Sequence, residues 1–261
     1  MSAAARGRTY LDERPLDERK RHLKTFDSWM NGADGGPVDV AANDVALIVI
    51  DMQNGFIREE YSLGIAPTQD PFAMAVPGCV ALVESARAAG VPVIYTRATN
   101  LYDHADALPR RGRALLKPEP ARRMHEHSAD VEIIDELAPL DTEYVVDKSR
   151  PGAIYGTRLE PLLVGLGIRS VVICGVTTNI CVETTAREAH ARGYDTYVIA
   201  DATGEAEPSR YWHALYSIEF LFGTVAMTED VQRSWGTEIT GVPGFPLQRA
   251  NVGSAALAAA V

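Results

Sequence analysis

The sequence has only three cysteines, Cys79, Cys174 and Cys181. So low and odd a count excludes a disulfide framework and fits a reducing compartment, and a cytoplasmic protein is the expectation. Positive charge is also scarce. The 25 Lys and Arg stand against 35 Asp and Glu, a net charge of −10. Nucleic acids and anionic membrane surfaces are held by concentrated Lys and Arg, so neither is an expected partner. No apolar run approaches the roughly 18 residues of a membrane span. The opening MSAAARGRTYLDERP has no apolar core of signal-peptide length. Glycine-rich phosphate loops are missing too. The nearest string, GVPGFP at 241–246, lies in the C-terminal tail in the wrong context for a nucleotide loop.

What remains is the composition of an ordinary globular protein, with 46% hydrophobic and 23% charged residues. A chain of 261 residues is long enough to bury a large core without staples. Residues 1–44 are polar and charge-rich. Leu16, Leu23, Phe26 and Met30 recur there at helical spacing, which predicts an amphipathic helix over 16–31 closed by NGADGG. From residue 45 the pattern changes. VALIVID (45–51) is an unbroken, largely β-branched apolar run, as in a strand buried on both faces. Further strands are predicted at 91–97, 143–148, 170–176, 195–202 and 224–227. Helices are predicted at 79–90, 157–167, 179–193 and 209–223, and the charged segment 98–129 reads as loop or lid. Strands alternating with helices imply a single doubly wound α/β domain over 45–235. It would hold a parallel six-stranded sheet with helices on both faces, between an arm at 1–44 and a tail at 236–261.

In such a sheet, ligands bind beyond the carboxyl ends of the strands. Strand one ends there in Asp51, strand two in Arg97, strand three in Lys148 and strand five in Asp201. Strand four runs into GVTTNIC, which puts Cys181 at the start of a helix. A thiolate is a strong nucleophile, but a free thiol is mostly protonated near neutral pH. The N–H groups and dipole of a helix start, and the charge of Lys148, would favour the thiolate. Asp51 would take the thiol proton and return it to a leaving amine. The same N–H groups would hold the oxyanion of a tetrahedral intermediate. Such a site requires neither metal nor organic cofactor. Taken singly, each residue has a plainer reading. Cys181 could be a buried core side chain like Cys79 and Cys174, Lys148 a solvated strand end, and Asp51 a turn or cap former. The three at one sheet edge point to nucleophilic hydrolysis.

Three strings carry a further signal: ALIVIDMQNGF (46–56), VVDKSRPGAIYGTRLEPLL (145–163) and VVICGVTTNICVETTAREAHARGYDTYVIADATG (171–204). In content, order and separation the chain resembles the isochorismatase-like cysteine hydrolases over roughly residues 43–235. That family includes nicotinamidases, N-carbamoylsarcosine amidases, biuret hydrolases and ureidoacrylate amidohydrolases. The resemblance implies a catalytic triad of Asp51, Lys148 and Cys181. It also implies a cis peptide between Val176 and Thr177 that turns the Thr177 N–H toward the oxyanion, beside the Cys181 N–H. It implies the sheet order 3-2-1-4-5-6, and a homo-oligomer, dimer or tetramer; two places stay open for the arm, its own domain or a neighbouring subunit.

Departures from the family pattern narrow the chemistry. Metal-dependent nicotinamidases carry Asp-x-His and a further His after strand two, where this chain has only His104. His125 and His127, two residues apart, would point differently on a helix. All three histidines read as surface or lid residues, and no metal is expected. True isochorismatases lack the nucleophilic Cys, so Cys181 favours an amide over a vinyl ether. The family's Ser-Ala-Phe stretch is replaced here by Pro151-Gly152-Ala153-Ile154-Tyr155 at the pocket border, which leaves the substrate open. DMQN, NICVETT and YSIEFLFG (216–223) look most like the ureidoacrylate amidohydrolase branch. The expected partner is therefore a small amide, N-carbamoyl or ureido compound. Candidate pocket residues are Asn54, Phe56, Arg97, Asn100, Tyr102, Arg150 and Tyr155. Arg97 or Arg150 would hold a substrate carboxylate by a two-pronged contact, or else pair with a neighbouring Asp or Glu. Two other readings stay open. One is vinyl-ether hydrolysis with Asp51 as general acid and Cys181 idle. The other is a catalytically silent binding subunit of the same fold.

Overall fold

A computed structural model describes residues 38, 40–107, 124–240 and 242. They lie in one compact unit, Pro37–Pro246. The helix expected over 16–31, nearly all of the tail and the middle of the 98–129 segment fall outside the described residues.

Six parallel strands form one sheet: β1 (Val45–Ile50), β2 (Val93–Ala98), β3 (Tyr144–Lys148), β4 (Ser170–Val176), β5 (Asp195–Gly204) and β6 (Thr224–Ala226). Their order is β3-β2-β1-β4-β5-β6. The reversal of winding between β1 and β4 opens the crevice in which such sheets bind ligands. The helices are α1 (Asn54–Ile57), α2 (Asp70–Ala73), α3 (Val76–Ala89), α4 (Leu159–Gly165), α5 (Glu183–His190), α6 (Pro208–Ser217) and α7 (Thr228–Trp235).

All six residues of β1 are buried, so the unbroken apolar run reflects cover on both faces. Val45, Leu47 and Val49 join Cys79 and Leu82 of α3 and Val231 and Trp235 of α7 in one core cluster. Strand alternation sends Ala46, Ile48 and Ile50 to the opposite face. Each fully buried Val, Leu or Ile contributes about 1.5–3 kcal/mol of burial. The helical stretch Asp70–Ala89 is long and apolar enough to cross a membrane by composition alone. Here Gly78, Cys79, Ala81, Leu82, Val83 and Ala86 bury its inner face instead.

Several expected bounds shift. α3 begins at Val76 rather than 79, because Pro77 sits in its first turn, where a missing N–H costs nothing. The predicted helices 179–193 and 209–223 each divide. A π-helical turn, Thr178–Val182, precedes α5, and another, Ile218–Phe222, follows α6. Between Ile173 and Gly175 the register advances two residues on β4, while on β5 it advances five, from Val198 to Thr203. The extra β5 residues bulge away from β4, and Asp201 lies among them rather than at the strand's end. α7, unforeseen in the sequence, is an eight-residue helix. Gly175 (φ 110°) lies where β4 meets β1, and a Cβ there would fall 2.0 Å from the Ile50 carbonyl oxygen. No side chain fits that approach.

Candidate active site

Asp51 follows the last residue of β1. Strict alternation would carry its side chain to the face of Val49. A left-handed φ of 50° ends the strand instead and turns the carboxylate toward β2 and β3. Such a conformation costs a non-glycine residue about 1 kcal/mol or more and persists only where neighbours fix it. The neighbour is Thr96, whose hydroxyl donates to Asp51 Oδ1 at 2.7 Å, while the Asp51 N–H points at the Thr96 carbonyl oxygen at 3.2 Å. Lys148 is the last residue of β3. Its Nζ lies 2.7 Å from Asp51 Oδ2 and 3.4 Å from Cys181 Sγ, and it also donates to the Arg150 and Pro151 carbonyls at 3.1 Å each.

Cys181 comes from the π-helical turn Thr178–Val182. The Val182 N–H reaches back to the Thr177 carbonyl at 3.2 Å, closing a ring wider than an α-helical one. The Thr178 and Thr203 hydroxyls lie 2.9 Å apart, and Thr203 Oγ1 donates to the Gly175 carbonyl at 2.7 Å, which ties the turn to β4 and β5. The Val176–Thr177 peptide bond is cis. Asp51 is 0% exposed, Lys148 3% and Cys181 8%, so all three residues are buried, Cys181 the least so.

The electrostatics differ from the expectation of a pre-formed thiolate. Burial pushes the Cys181 thiol up to about 12; the Lys148 ammonium pulls against this and the Asp51 carboxylate adds to it. Burial alone would lower Lys148, but Asp51 and Cys181 together hold its ammonium above the ordinary lysine range. With Asp51 ionised, Lys148 as ammonium and Cys181 as thiol, the cluster carries no net charge. Moving the thiol proton to Asp51 shifts the negative charge to sulfur beside the same ammonium. No new net charge is buried, so this transfer avoids most of the desolvation that keeps an isolated thiol protonated.

The structure brings Asp51, Lys148 and Cys181 together and gives most of the candidate pocket residues other tasks. Arg97 takes the second of the two roles open to it. It pairs with Asp147 across β2 and β3, Nε to Oδ1 at 2.7 Å and Nη2 to Oδ2 at 3.0 Å. Since Arg97 registers with Asp147 and Ala98 with Lys148, period-two alternation puts Arg97 on the face opposite Lys148. Phe56 is buried and belongs to the core cluster. Asn54 Nδ2 donates to the Ala129 carbonyl at 3.0 Å, and Asn100 Nδ2 to the Met124 carbonyl at 3.1 Å, so both tie loops down. Arg150 Nη1 donates to the Asp106 and Ser149 carbonyls, at 2.7 Å each, and pairs with no carboxylate among the described residues. Tyr155 is 66% exposed. Tyr102 is exposed and stacks edge-on against His125, with ring centroids 5.1 Å apart. His125 is buried, not a surface residue: its Nδ1 accepts the His127 N–H at 3.3 Å and its ring meets that of His104 at 6.3 Å. Among the described residues no three His, Cys, Asp or Glu side chains converge as metal ligands.

Two supporting residues escaped the sequence reading, Thr96 and Gln53. Gln53 is fully buried. Its Nε2 donates to the carbonyls of Ala98 (3.1 Å) and Val131 (2.8 Å), and its Oε1 accepts the Ala98 N–H at 2.8 Å. It thereby holds the ends of β1 and β2 and the 129–133 segment together. The DMQN string drew notice to this position without separating Gln53 from its neighbour Asn54.

Asp201 stands apart from the cluster. Its Oδ1 accepts the Thr228 N–H at 2.8 Å and the Thr228 hydroxyl at 2.9 Å, anchoring the start of α7. Burial raises its carboxyl to about 6, against the lowering effect of those hydrogen bonds. Folding thus favours the protonated form. The stability this group contributes is present below about pH 4 and is lost as pH rises through about 6. Asp201→Asn keeps an acceptor for Thr228 and removes the charge. It is expected to be more stable than the wild type above about pH 7, by on the order of 1–2 kcal/mol, and to lack the wild type's decline over that window. Urea unfolding across that pH range, for both proteins, is the measurement. Parallel pH profiles for the two would contradict the assignment.

Comparison with known proteins fits this geometry. The sequence profile of the Isochorismatase domain matches residues 45–230. The ureidoacrylate amidohydrolase RutB of Azorhizobium caulinodans is 34% identical over 212 residues, covering 76% of this chain and 93% of that protein. Its counterpart from Caulobacter segnis is 32% identical over 215 residues, covering 77% and 89%. Among solved structures, a cysteine hydrolase from Pseudomonas syringae pv. phaseolicola superposes with a TM-score of 0.67 at 29% identity, covering 77% of this chain and 96% of that one. N-carbamoylsarcosine amidase from Thermoplasma acidophilum superposes at 0.57 and 28% identity, covering 76% and 99%.

Proposed function

The chain belongs to the isochorismatase family, and from that membership we propose that it is a hydrolase of non-peptide C–N bonds, with Cys181 as nucleophile and a small ureido or N-carbamoyl compound as substrate. The observation that carries the reading is the position of Lys148 Nζ, 2.7 Å from the Asp51 carboxylate and 3.4 Å from the Cys181 sulfur. A carboxylate beside a thiol supplies the base, and an ammonium touching both steadies the negative charge as the proton moves from one to the other. The relatives named as ureidoacrylate amidohydrolases and N-carbamoylsarcosine amidase support the choice of substrate class.

The steps follow from the charges. Asp51 takes the Cys181 proton as sulfur attacks the carbonyl carbon, and Lys148 stays beside the developing thiolate. The C=O π pair moves to oxygen, and the oxyanion is held by the backbone N–H groups of Thr177 and Cys181. The C–N bond then breaks, Asp51 gives its proton to the departing nitrogen, and ammonia or an amine leaves. A thioester remains, or a thiocarbamate where a terminal urea is attacked. Water next adds to that carbonyl, its proton passing to Asp51, and the C–S bond breaks to return the thiol. Nucleophile, base and charge are all supplied by the chain, so the cycle calls for no cofactor. Vinyl-ether hydrolysis would leave the contact between Lys148 and Cys181 without a task.

The test is a panel of small amides and ureides, including ureidoacrylate and N-carbamoylsarcosine, scored by ammonia release and by intact mass after rapid acid quench. The expected result is turnover of at least one ureido compound, with an adduct on the Cys181 peptide. Turnover that persists after iodoacetamide has fully alkylated Cys181 would remove the nucleophile from the reading.

A further inference from the structure

We propose that Glu188 is a positioning residue for the reaction: it clamps the 152–155 loop to the nucleophile's own helix and so fixes Lys148 against Cys181. This rests on the reading of Cys181 as nucleophile. The chain of contacts is continuous. Two of the acceptors that aim Lys148 Nζ are the carbonyls of Arg150 and Pro151. The loop directly after them is a run of bends and a turn. Thr157 braces its carbonyl side, the hydroxyl donating to the Ala153 carbonyl at 2.6 Å and the N–H to the Ile154 carbonyl at 3.3 Å, while its N–H side reaches across to α5. Glu188 Oε2 accepts the N–H groups of Ile154 (2.9 Å) and Tyr155 (3.2 Å), and Thr185 Oγ1 accepts that of Ala153 (3.1 Å). Three successive loop N–H groups thus end on two side chains of α5, one turn apart. The Thr185 hydroxyl then donates to the Cys181 carbonyl at 2.7 Å, closing the circuit at the nucleophile.

Gly152 gives independent support. It is buried, and it is not among the glycines with a left-handed φ, so its backbone does not call for glycine. What excludes a side chain is Glu188. A Cβ on Gly152 would fall 2.2 Å from Oε1, 2.3 Å from Cδ and 2.4 Å from Oε2. The loop surrenders a side chain at this point so that the carboxylate can reach past it. A charged acceptor holding two backbone N–H groups makes stronger bonds than a neutral one. With the clamp gone the loop carbonyls drift, Nζ loses two of its guides, and the thiolate loses part of its stabilisation while the substrate contacts stay in place.

The experiment compares Glu188→Ala, Glu188→Gln, Gly152→Ala and the double variant Gly152→Ala/Glu188→Ala. The readouts are kcat, KM and the rate of Cys181 alkylation by iodoacetamide, with thermal unfolding as a check on the fold. Glu188→Ala is expected to lower kcat and the alkylation rate at neutral pH by roughly tenfold, the equivalent of about one pKa unit at sulfur, with KM within about twofold. Glu188→Gln, which keeps one acceptor oxygen, should recover most of that. Gly152→Ala displaces only the flexible end of Glu188, so it gives a folded clamp-free enzyme even where Glu188→Ala is unstable. The double variant should be no worse than Gly152→Ala alone, because both remove one contact. Wild-type alkylation kinetics in Glu188→Ala and Gly152→Ala, or losses that multiply in the double variant, overturn the proposal. Neither result touches the nucleophile assignment, which stands or falls on Cys181 itself.

Discussion

Cys181→Ala is expected to lower turnover by about 10⁴-fold or more, the scale on which removal of a catalytic nucleophile acts, while leaving the protein folded. Only one heavy atom is lost, from a side chain 8% exposed. Asp51 and Lys148 remain paired without it, so no buried charge is stranded and stability should change by less than about 1 kcal/mol. The other two cysteines are internal controls. Cys79 and Cys174 are fully buried in the core cluster, and the Cys79 thiol points at the Ala202 carbonyl at 3.3 Å. Replacing either by Ala should cost stability and leave kcat within a few-fold. Ammonia release by the three single variants, each normalised to folded protein, makes the comparison. A Cys181→Ala protein retaining a tenth of wild-type turnover would end the covalent reading, and a loss shared equally by all three variants would point to folding rather than chemistry.

Much of this was legible in the chain because burial and chemistry leave separable marks. Six buried residues of β1 read as one apolar run, and Asp51 then breaks it with a charge. Lys148 closes a short strand in the same way. The alternation of strands and helices gave the parallel sheet, and the observed order β3-β2-β1-β4-β5-β6 agrees with what the family resemblance implied. Features that depend on three-dimensional partners were hidden. Arg97 was open between a substrate clamp and a pair with a neighbouring acid, and sequence does not reveal that Asp147 registers beside it on the far face. Nor does sequence show that Asn54 and Asn100 each donate one amide N–H to a carbonyl distant in sequence, at Ala129 and Met124. The π-helical turn at Thr178–Val182 has no periodic signature in five residues, so it merged with the helix that follows. The forces on the thiol were visible only in part. A helix start and a lysine could be read from the chain, but the burial that opposes them could not.

Lys148→Met should be nearly as damaging to catalysis as loss of the sulfur, and unlike that change it should also destabilise the protein. The thioether fills much the same volume as the lysine stem, so the consequence is electrostatic rather than steric. Asp51, 0% exposed, would be left without its counter-charge. Breaking a buried pair by removing one member costs about 3–5 kcal/mol when the survivor stays ionised. The lone carboxylate can escape that cost by binding a proton, so in the variant folding favours the neutral acid. A carboxyl that prefers its proton in the folded state contributes stability at low pH and loses it as pH rises. Lys148→Met should therefore approach wild-type stability in acid and fall progressively behind toward neutral pH. A protonated Asp51 is no base, and a thiolate formed beside methionine has no neighbouring cation, so kcat should fall by on the order of 10³-fold or more. Adding Asp51→Asn separates the two effects. The double variant removes the stranded charge, and should regain most of the stability at neutral pH without regaining any turnover. Urea unfolding at several pH values, run beside the ammonia assay, reads both. If Lys148→Met unfolded like the wild type at every pH, the ammonium would not be what balances Asp51; if the double variant recovered turnover, neither residue could be moving the proton.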